Sequence, residues 1–191
     1  MSRPLRESML HGWAQGLLFF GLNRAALRAF GDLVREFPGH AEGWSVLGFL
    51  HAQRGEKGEA VAAFEKALAL KADDPALCFN AGFAAQQAGD DERSLTLFQR
   101  AIALDPKIDR AWYGLGLSLA RLGRHEEAIP QLREAARLQP FNPYAGYQLA
   151  AVLHKLGRRD EVRREYLRVK DFDPKVSAAM RREFSIDDPD A

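Results

Sequence analysis

Trp44-Ser45-Val46-Leu47-Gly48 returns as Cys78-Phe79-Asn80-Ala81-Gly82 and again as Trp112-Tyr113-Gly114-Leu115-Gly116, each copy 34 residues after the one before. That period belongs to a helix–turn–helix unit repeated along a solenoid. A single such unit cannot bury its apolar side, so stacked neighbours share one continuous core and leave an extended surface rather than a closed pocket. Carried along the chain, the frame gives five consecutive units without insertion, 7–40, 41–74, 75–108, 109–142 and 143–176. A short tail at 1–6 precedes them and a terminal segment at 177–191 follows.

Within each unit the seventh and eighth positions set a large or medium apolar residue before a small one: Trp13-Ala14, Leu47-Gly48, Ala81-Gly82, Leu115-Gly116 and Leu149-Ala150. Small residues at the eighth position let two helices approach closely. The twentieth position holds Ala26, Ala60, Ser94, Ala128 and Val162, and four residues later come Phe30, Phe64, Phe98, Leu132 and Tyr166. Three further on stand Leu33, Ala67, Ala101, Ala135 and Val169. Steps of four and three place all of them on one face of a second helix. Gly21, Gly55, Gly89, Gly123 and Gly157 share a single frame position and supply the turn between the two helices.

Pro38, Pro106, Pro140 and Pro174 punctuate the unit ends, where the second helix must stop. The second unit carries Ala72 there and Pro75 three residues on, so its turn takes a different shape or its second helix runs longer. Pro130 falls inside the second helix of the fourth unit, where it removes a backbone hydrogen bond and bends the helix.

This pattern of small and large positions resembles the tetratricopeptide repeat family over residues 7–176, with the first and fifth units drifting as terminal repeats do. The resemblance implies an all-α fold, a right-handed superhelical solenoid of antiparallel helix pairs, with each first helix lining the concave side. It also implies protein or peptide recognition. Beyond the last unit, Lys175 to Phe184 reads as a short capping helix presenting Val176, Met180 and Phe184 on one side, and Asp187–Ala191 as an acidic, disordered tail.

Composition narrows the function. The chain has 191 residues, 47% of them hydrophobic, and a formal net charge of only +1, which supports a sizeable core and disfavours phosphate-driven nucleic-acid binding. Helical solenoids of nearly this period do read RNA, but the corresponding polar positions here hold Phe, Ala and Leu, so RNA binding stands as the distant alternative. Cys78 has no partner for an internal disulfide and reads as a small buried apolar side chain. The run Gly16–Leu22 is too short to span a bilayer, which needs about 20 apolar residues, and it falls into the repeat register. A cytoplasmic protein without stable membrane insertion is expected.

No residues stand at spacings that make an enzyme. His11, His40, His51, His125 and His154 lie in separate units without metal-ligand spacing, and Gly114-Leu115-Gly116 lacks the third glycine and the preceding strand of a dinucleotide loop. No catalytic residue, metal site or cofactor is therefore expected.

The concave face carries the individuality. Positions two, five, nine and twelve of each first helix project together. In the middle units they are Glu42, Ser45, Phe49 and Ala52, then Ala76, Phe79, Phe83 and Gln86, then Arg110, Tyr113, Leu117 and Ala120. The fifth unit adds Tyr144, Tyr147, Ala151 and His154. A face turned only to water would be charged, whereas this one is aromatic, which marks a partner site. The candidate groove comprises Phe49, Phe79, Asn80, Phe83, Arg110, Tyr113, Leu117, Tyr144 and Tyr147. Two other readings stay open: the rings complete the core between first helices, or Met180, Phe184 and Ile186 fold back over them.

Asn80 and Arg110 match two places of the cluster with which some family members hold a partner's C-terminal carboxylate. Ser45, Phe49 and Gly114 break the rest of that cluster, leaving Asn80 to bond the backbone of an extended peptide. Arg158, Arg159, Arg163, Arg164 and Arg168 crowd the fifth unit's second helix, interspersed with Asp160, Glu161 and Glu165. That run reads as a solvated face; its sharper reading is a surface for an acidic partner or a membrane.

The leading reading is a binding module, an adaptor, scaffold or assembly factor that holds a protein segment along the groove, with a chaperone for a secreted or membrane-associated partner as the alternative. The uncovered first helix around Trp13 and Leu17–Phe20 also makes self-association possible. Phe64→Ala and Phe98→Ala are each expected to lower stability by about 3–5 kcal/mol as large-to-small core changes, measured by denaturant unfolding.

Overall fold

The computed structural model describes residues 2–187; the greater part of the expected acidic tail, residues 188–191, lies outside the described residues. Helices follow one another along the whole described chain: α1 (Arg3–Phe19), α2 (Asn23–Glu36), α3 (Ala41–Gln53), α4 (Lys57–Leu70), α5 (Pro75–Ala88), α6 (Asp91–Leu104), α7 (Asp109–Arg121), α8 (His125–Leu138), α9 (Pro143–Lys155), α10 (Arg159–Lys170) and α11 (Pro174–Glu183). No strand occurs among the described residues. The odd-numbered helices are the first, or A, helices of the repeat and the even-numbered ones the second, or B, helices. The chain divides into two compact units, one holding α1–α5 and the other α6–α11.

Backbone chemistry sets the helix ends. The five turn glycines, Gly21, Gly55, Gly89, Gly123 and Gly157, all take left-handed φ between 71° and 87°, a region that costs a residue with a Cβ. Of the helices that open after the turns between repeats, α3, α5, α9 and α11 begin on a side-chain cap. His40 Nδ1 accepts from the Gly43 amide at 2.9 Å, Asp74 Oδ1 from Leu77 at 3.0 Å, Asn142 Oδ1 from Tyr144 at 3.0 Å and Asp173 Oδ1 from Val176 at 2.9 Å. Each satisfies an amide that the first helical turn leaves without a partner. The second unit's departure at Ala72 is resolved this way: α4 has 14 residues, as α2 does, and Asp74 with Pro75 opens α5. Pro4 opens α1 ahead of the frame, so the helix begins at Arg3 rather than at residue 7. Pro130 lies on the exposed side of α8.

A second closure fastens α2, α4, α6 and α8 each to the A helix that follows. The Trp44 indole donates to the Pro38 carbonyl at 2.9 Å, and the Trp112 indole to the Pro106 carbonyl at 2.9 Å, in the same frame positions. Cys78 Sγ lies 3.7 Å from the Ala72 carbonyl. In the fifth unit the position is Gly146, and the Arg168 guanidinium from α10 occupies the space where a Cβ on Gly146 would stand. Its Nη1 donates to the Pro140 carbonyl at 3.1 Å, replacing the missing indole.

The core matches the sequence frame. None of the fifteen B-helix residues at positions twenty, twenty-four and twenty-seven is more than 3% exposed. Phe64 presses its ring on Gly48, where an added Cβ would come within 2.8 Å, and Leu132 presses on Gly116 at 2.7 Å. Ser94 and Ser118, both fully buried, pair their hydroxyls at 2.6 Å, and Ser94 also donates to the Asp91 carbonyl at 2.8 Å. A polar pair is thereby kept inside the core without an orphan group. Cys78 is likewise buried.

Gly116→Ala is expected to destabilise the chain by about 1–3 kcal/mol through overpacking against Leu132. Gly31→Ala, at a helical site with nothing within 4 Å of the new Cβ, is expected to stabilise it by about 0.5–1 kcal/mol. Urea midpoints of the two variants check both signs.

Candidate functional site

In the first unit, helices α1, α3 and α5 present one face. Position nine carries Phe49 on α3, 53% exposed, and Phe83 on α5, 46% exposed. Phe79 stands one helical turn before Phe83, and the spacing of four brings the rings into a stack with centroids 6.3 Å apart and planes at 20°. Phe79 and Asn80 are half-buried. Phe83 also edges a hollow of about 230 Å³ lined by Ala52, Lys57, Ala60, Ala84 and Gln87.

The same face turns polar toward α1. Gln15 Nε2 donates to Glu42 Oε1 at 3.2 Å, His11 Nε2 lies 3.4 Å from that oxygen, and the His11 ring meets the His40 ring edge-on at 4.7 Å. His11 and Gln15 are absent from the sequence-derived candidates. They occupy positions five and nine of the repeat at 7–40, the positions that hold Ser45 and Phe49, then Phe79 and Phe83, in the next two repeats.

In the second unit, α7 and α9 supply Arg110, Tyr113, Leu117, Tyr144 and Tyr147. Arg110 and Tyr144 are exposed; Tyr113, Leu117 and Tyr147 are half-buried. Tyr113 and Tyr144 border a small hollow of about 140 Å³ with Asp109, Gln139 and Asn142. Burial raises the Tyr113 phenol above its usual pKa, so it remains a neutral donor.

Tyr147 has a different setting. Its hydroxyl donates to the Glu183 carboxylate, and its ring lies 5.6 Å from that of Phe184. The Glu183 bond, followed by burial, raises its pKa. His154 approaches the same phenylalanine at 5.4 Å. Met180 and Phe184 are buried, with Phe184 against Tyr147 and His154, while Tyr144 is exposed.

The arginines of α10 are neutralised in part by local pairing. Glu161 receives Arg158 Nε at 2.5 Å and Arg133 Nη2 at 2.5 Å, with Arg164 at 4.0 Å. Arg158 also reaches Glu126 at 3.1 Å, and Arg168 pairs with Glu165 at 3.0 Å. Arg159 and Arg163 line a hollow with Phe184, Ile186 and Asp187. Among the described residues no group of three or more His, Cys, Asp or Glu is placed to hold a metal ion, and no helix is long and apolar enough to cross a membrane.

A family model described as tetratricopeptide repeat matches residues 11–75 and 79–143, and another of the same description matches 143–168. No curated protein matches the chain. Among solved structures it is similar to a crystal structure of MamA, with TM-score 0.81 and 22% identity over 86% of this chain and 96% of that one. It is also similar to YrrB, described as a TPR protein with an unusual peptide-binding site, with TM-score 0.81 and 20% identity over 90% of this chain and 89% of the other. A third, PilF of Pseudomonas aeruginosa, gives TM-score 0.76 and 18% identity over 96% and 84%. At such identities the likeness is one of fold.

The hydrogen bond from Arg158, then the charges around it, hold the Glu161 carboxyl below its usual pKa of 4.5. A carboxylate favoured by folding contributes its stability fully above the unfolded pKa and loses it as the pH falls through the lower, folded value. Glu161→Gln is therefore expected to be less stable than the wild type at pH 7, with the difference shrinking as the pH falls below about 4. Chemical denaturation across that range checks it.

Proposed function

The chain belongs to the tetratricopeptide repeat family, and from that premise we propose that it is a protein-interaction module whose A-helix faces hold a segment of a partner protein. Its role is that of an adaptor, scaffold or assembly factor rather than of a catalyst. The observation that carries the reading is the pair Phe49 and Phe83, rings on neighbouring A helices that stay about half exposed while the frame's core positions are sealed. Water-facing aromatic rings in a rigid helical setting are the residues that anchor interfaces.

The neighbouring groups suit an extended or helical peptide. Stacked Phe79 and Phe83 offer a flat apolar platform, the Asn80 amide has both a donor and an acceptor for a peptide backbone, and the 230 Å³ hollow beside Phe83 accommodates one apolar side chain. In the second unit, Arg110, Tyr113, Leu117 and Tyr144 form a more polar face with a cation at its edge. Tyr147 supports that face from beneath α11 rather than contacting a ligand directly.

Phe83→Glu is expected to weaken partner binding by at least about tenfold while leaving the helical circular dichroism unchanged, because the ring lies outside the core. An affinity capture from source-cell lysate with wild type, Phe83→Glu and, separately, Tyr113→Glu, read by mass spectrometry, checks it. Equal capture by wild type and a folded Phe83→Glu variant would overturn the α3/α5 face as the site. A wild-type-specific shift with single-stranded RNA at low salt would instead favour the nucleic-acid reading.

A further inference from the structure

The first helix is apolar on both sides. Its inner side packs on α2 through Leu10, Ala14 and Leu17, whereas Leu5, Met9, Trp13, Phe19 and Phe20 on the opposite side are between 54 and 85% exposed. A helix that is hydrophobic all round belongs in an interior. The repeat itself measures the anomaly. The seventh frame position is no more than 5% exposed at Leu47, Ala81, Leu115 and Leu149, but its occupant in α1, Trp13, is 65% exposed. In the later repeats a preceding B helix lies against this side of the A helix; among the described residues no helix lies against it in α1.

The pattern of the exposed side is self-complementary. In an antiparallel pair of α1 helices centred between Gly12 and Trp13, each residue faces the one whose number brings the sum to 25. Trp13 then meets Gly12 and Met9 meets Gly16, so large side chains enter positions where an added Cβ finds nothing within 4 Å, while Leu5 lies level with Phe20 at the helix end. No like charges are opposed, because Arg6 faces Phe19 and Arg3 lies beyond the paired span of the two helices. A residue that contacts its partner reciprocally is what a two-fold interface requires. The exposed rings and aliphatic chains amount to on the order of 800 Å² per copy, the area each partner contributes to a stable interface of standard size.

We propose that the outer face of α1 docks on the same face of a second copy of this chain, giving an antiparallel two-fold dimer with Trp13 seated over Gly12 and Gly16 of the partner. The surface is separate from the α3/α5 ring pair, so its failure would leave the peptide-binding reading untouched.

Sedimentation of the full chain from about 1 to 100 µM should show a monomer–dimer equilibrium. Trp13→Glu should weaken it by about a hundredfold or more with unchanged helical circular dichroism. A single thiol supplies an independent geometric test: in a Cys78→Ala background, Gly12→Cys, close to the two-fold axis, should form a covalent dimer on mild oxidation. Phe20→Cys, which faces Leu5 of the partner, should not. A strictly monomeric wild type, a dimer unaffected by Trp13→Glu, or failure of Gly12→Cys to cross-link would each overturn the proposal. So would a monomer that partitions through Trp13 onto phosphatidylcholine/phosphatidylglycerol vesicles, which would assign the face to a lipid surface.

Discussion

The contact on which the rest depends is the seating of a large B-helix side chain on a glycine of its own A helix. Phe64 on Gly48 and Leu132 on Gly116 leave no room for even a methyl group. Such contacts bring the two helices of a repeat to their shortest separation, and that separation fixes which residues face inward. With the B-helix residues at positions twenty, twenty-four and twenty-seven committed to the core, the A helix must present its remaining side outward. The exposed rings of Phe49 and Phe83 are a consequence of that geometry and not an accident of composition.

The inter-repeat closure shows how a fold keeps an interaction while changing its chemistry. An indole donating to a proline carbonyl is replaced at Gly146 by an arginine from a different helix, and the carbonyl still receives a donor. The constraint is one of position: the chain reverses at this carbonyl, and a donor there ties the turn to the helix that follows. Arg168 read as one member of a basic run in the sequence. In the structure its guanidinium, 33% exposed, stands against Gly146 between Glu165 and the Pro140 carbonyl. The basic run is thus several local pairings rather than one unshielded patch.

The A-helix face was legible in outline and not in detail. Positions two, five, nine and twelve fall on one side of each A helix, since helical periodicity alone assigns a residue to a side. Periodicity does not say how deep a ring sits. Phe83 and Tyr147 read as members of one aromatic series, yet Phe83 stays about half open while Tyr147 is roofed by Phe184 and tied to Glu183. Gln86 shared the same stripe and is buried. Periodicity also does not bring the Phe184 ring of the C-terminal segment against Tyr147 and His154 of α9.

By itself the sequence determined the repeat: its period, the glycine turns, the helix-facing stripes of small and large residues, and the family. These are local properties, set by backbone φ, by capping and by the 3.6-residue turn, and each recurs often enough to be read through the drift of the terminal units. Tertiary structure decided exposure and substitution: which rings remain open, which arginine replaces an indole, and which helix covers which. Those outcomes depend on neighbours contributed from elsewhere in the chain, so the residue type alone cannot carry them; Trp13 and Leu47 hold the same frame position, and only the helix packed before α3 makes one buried and the other bare.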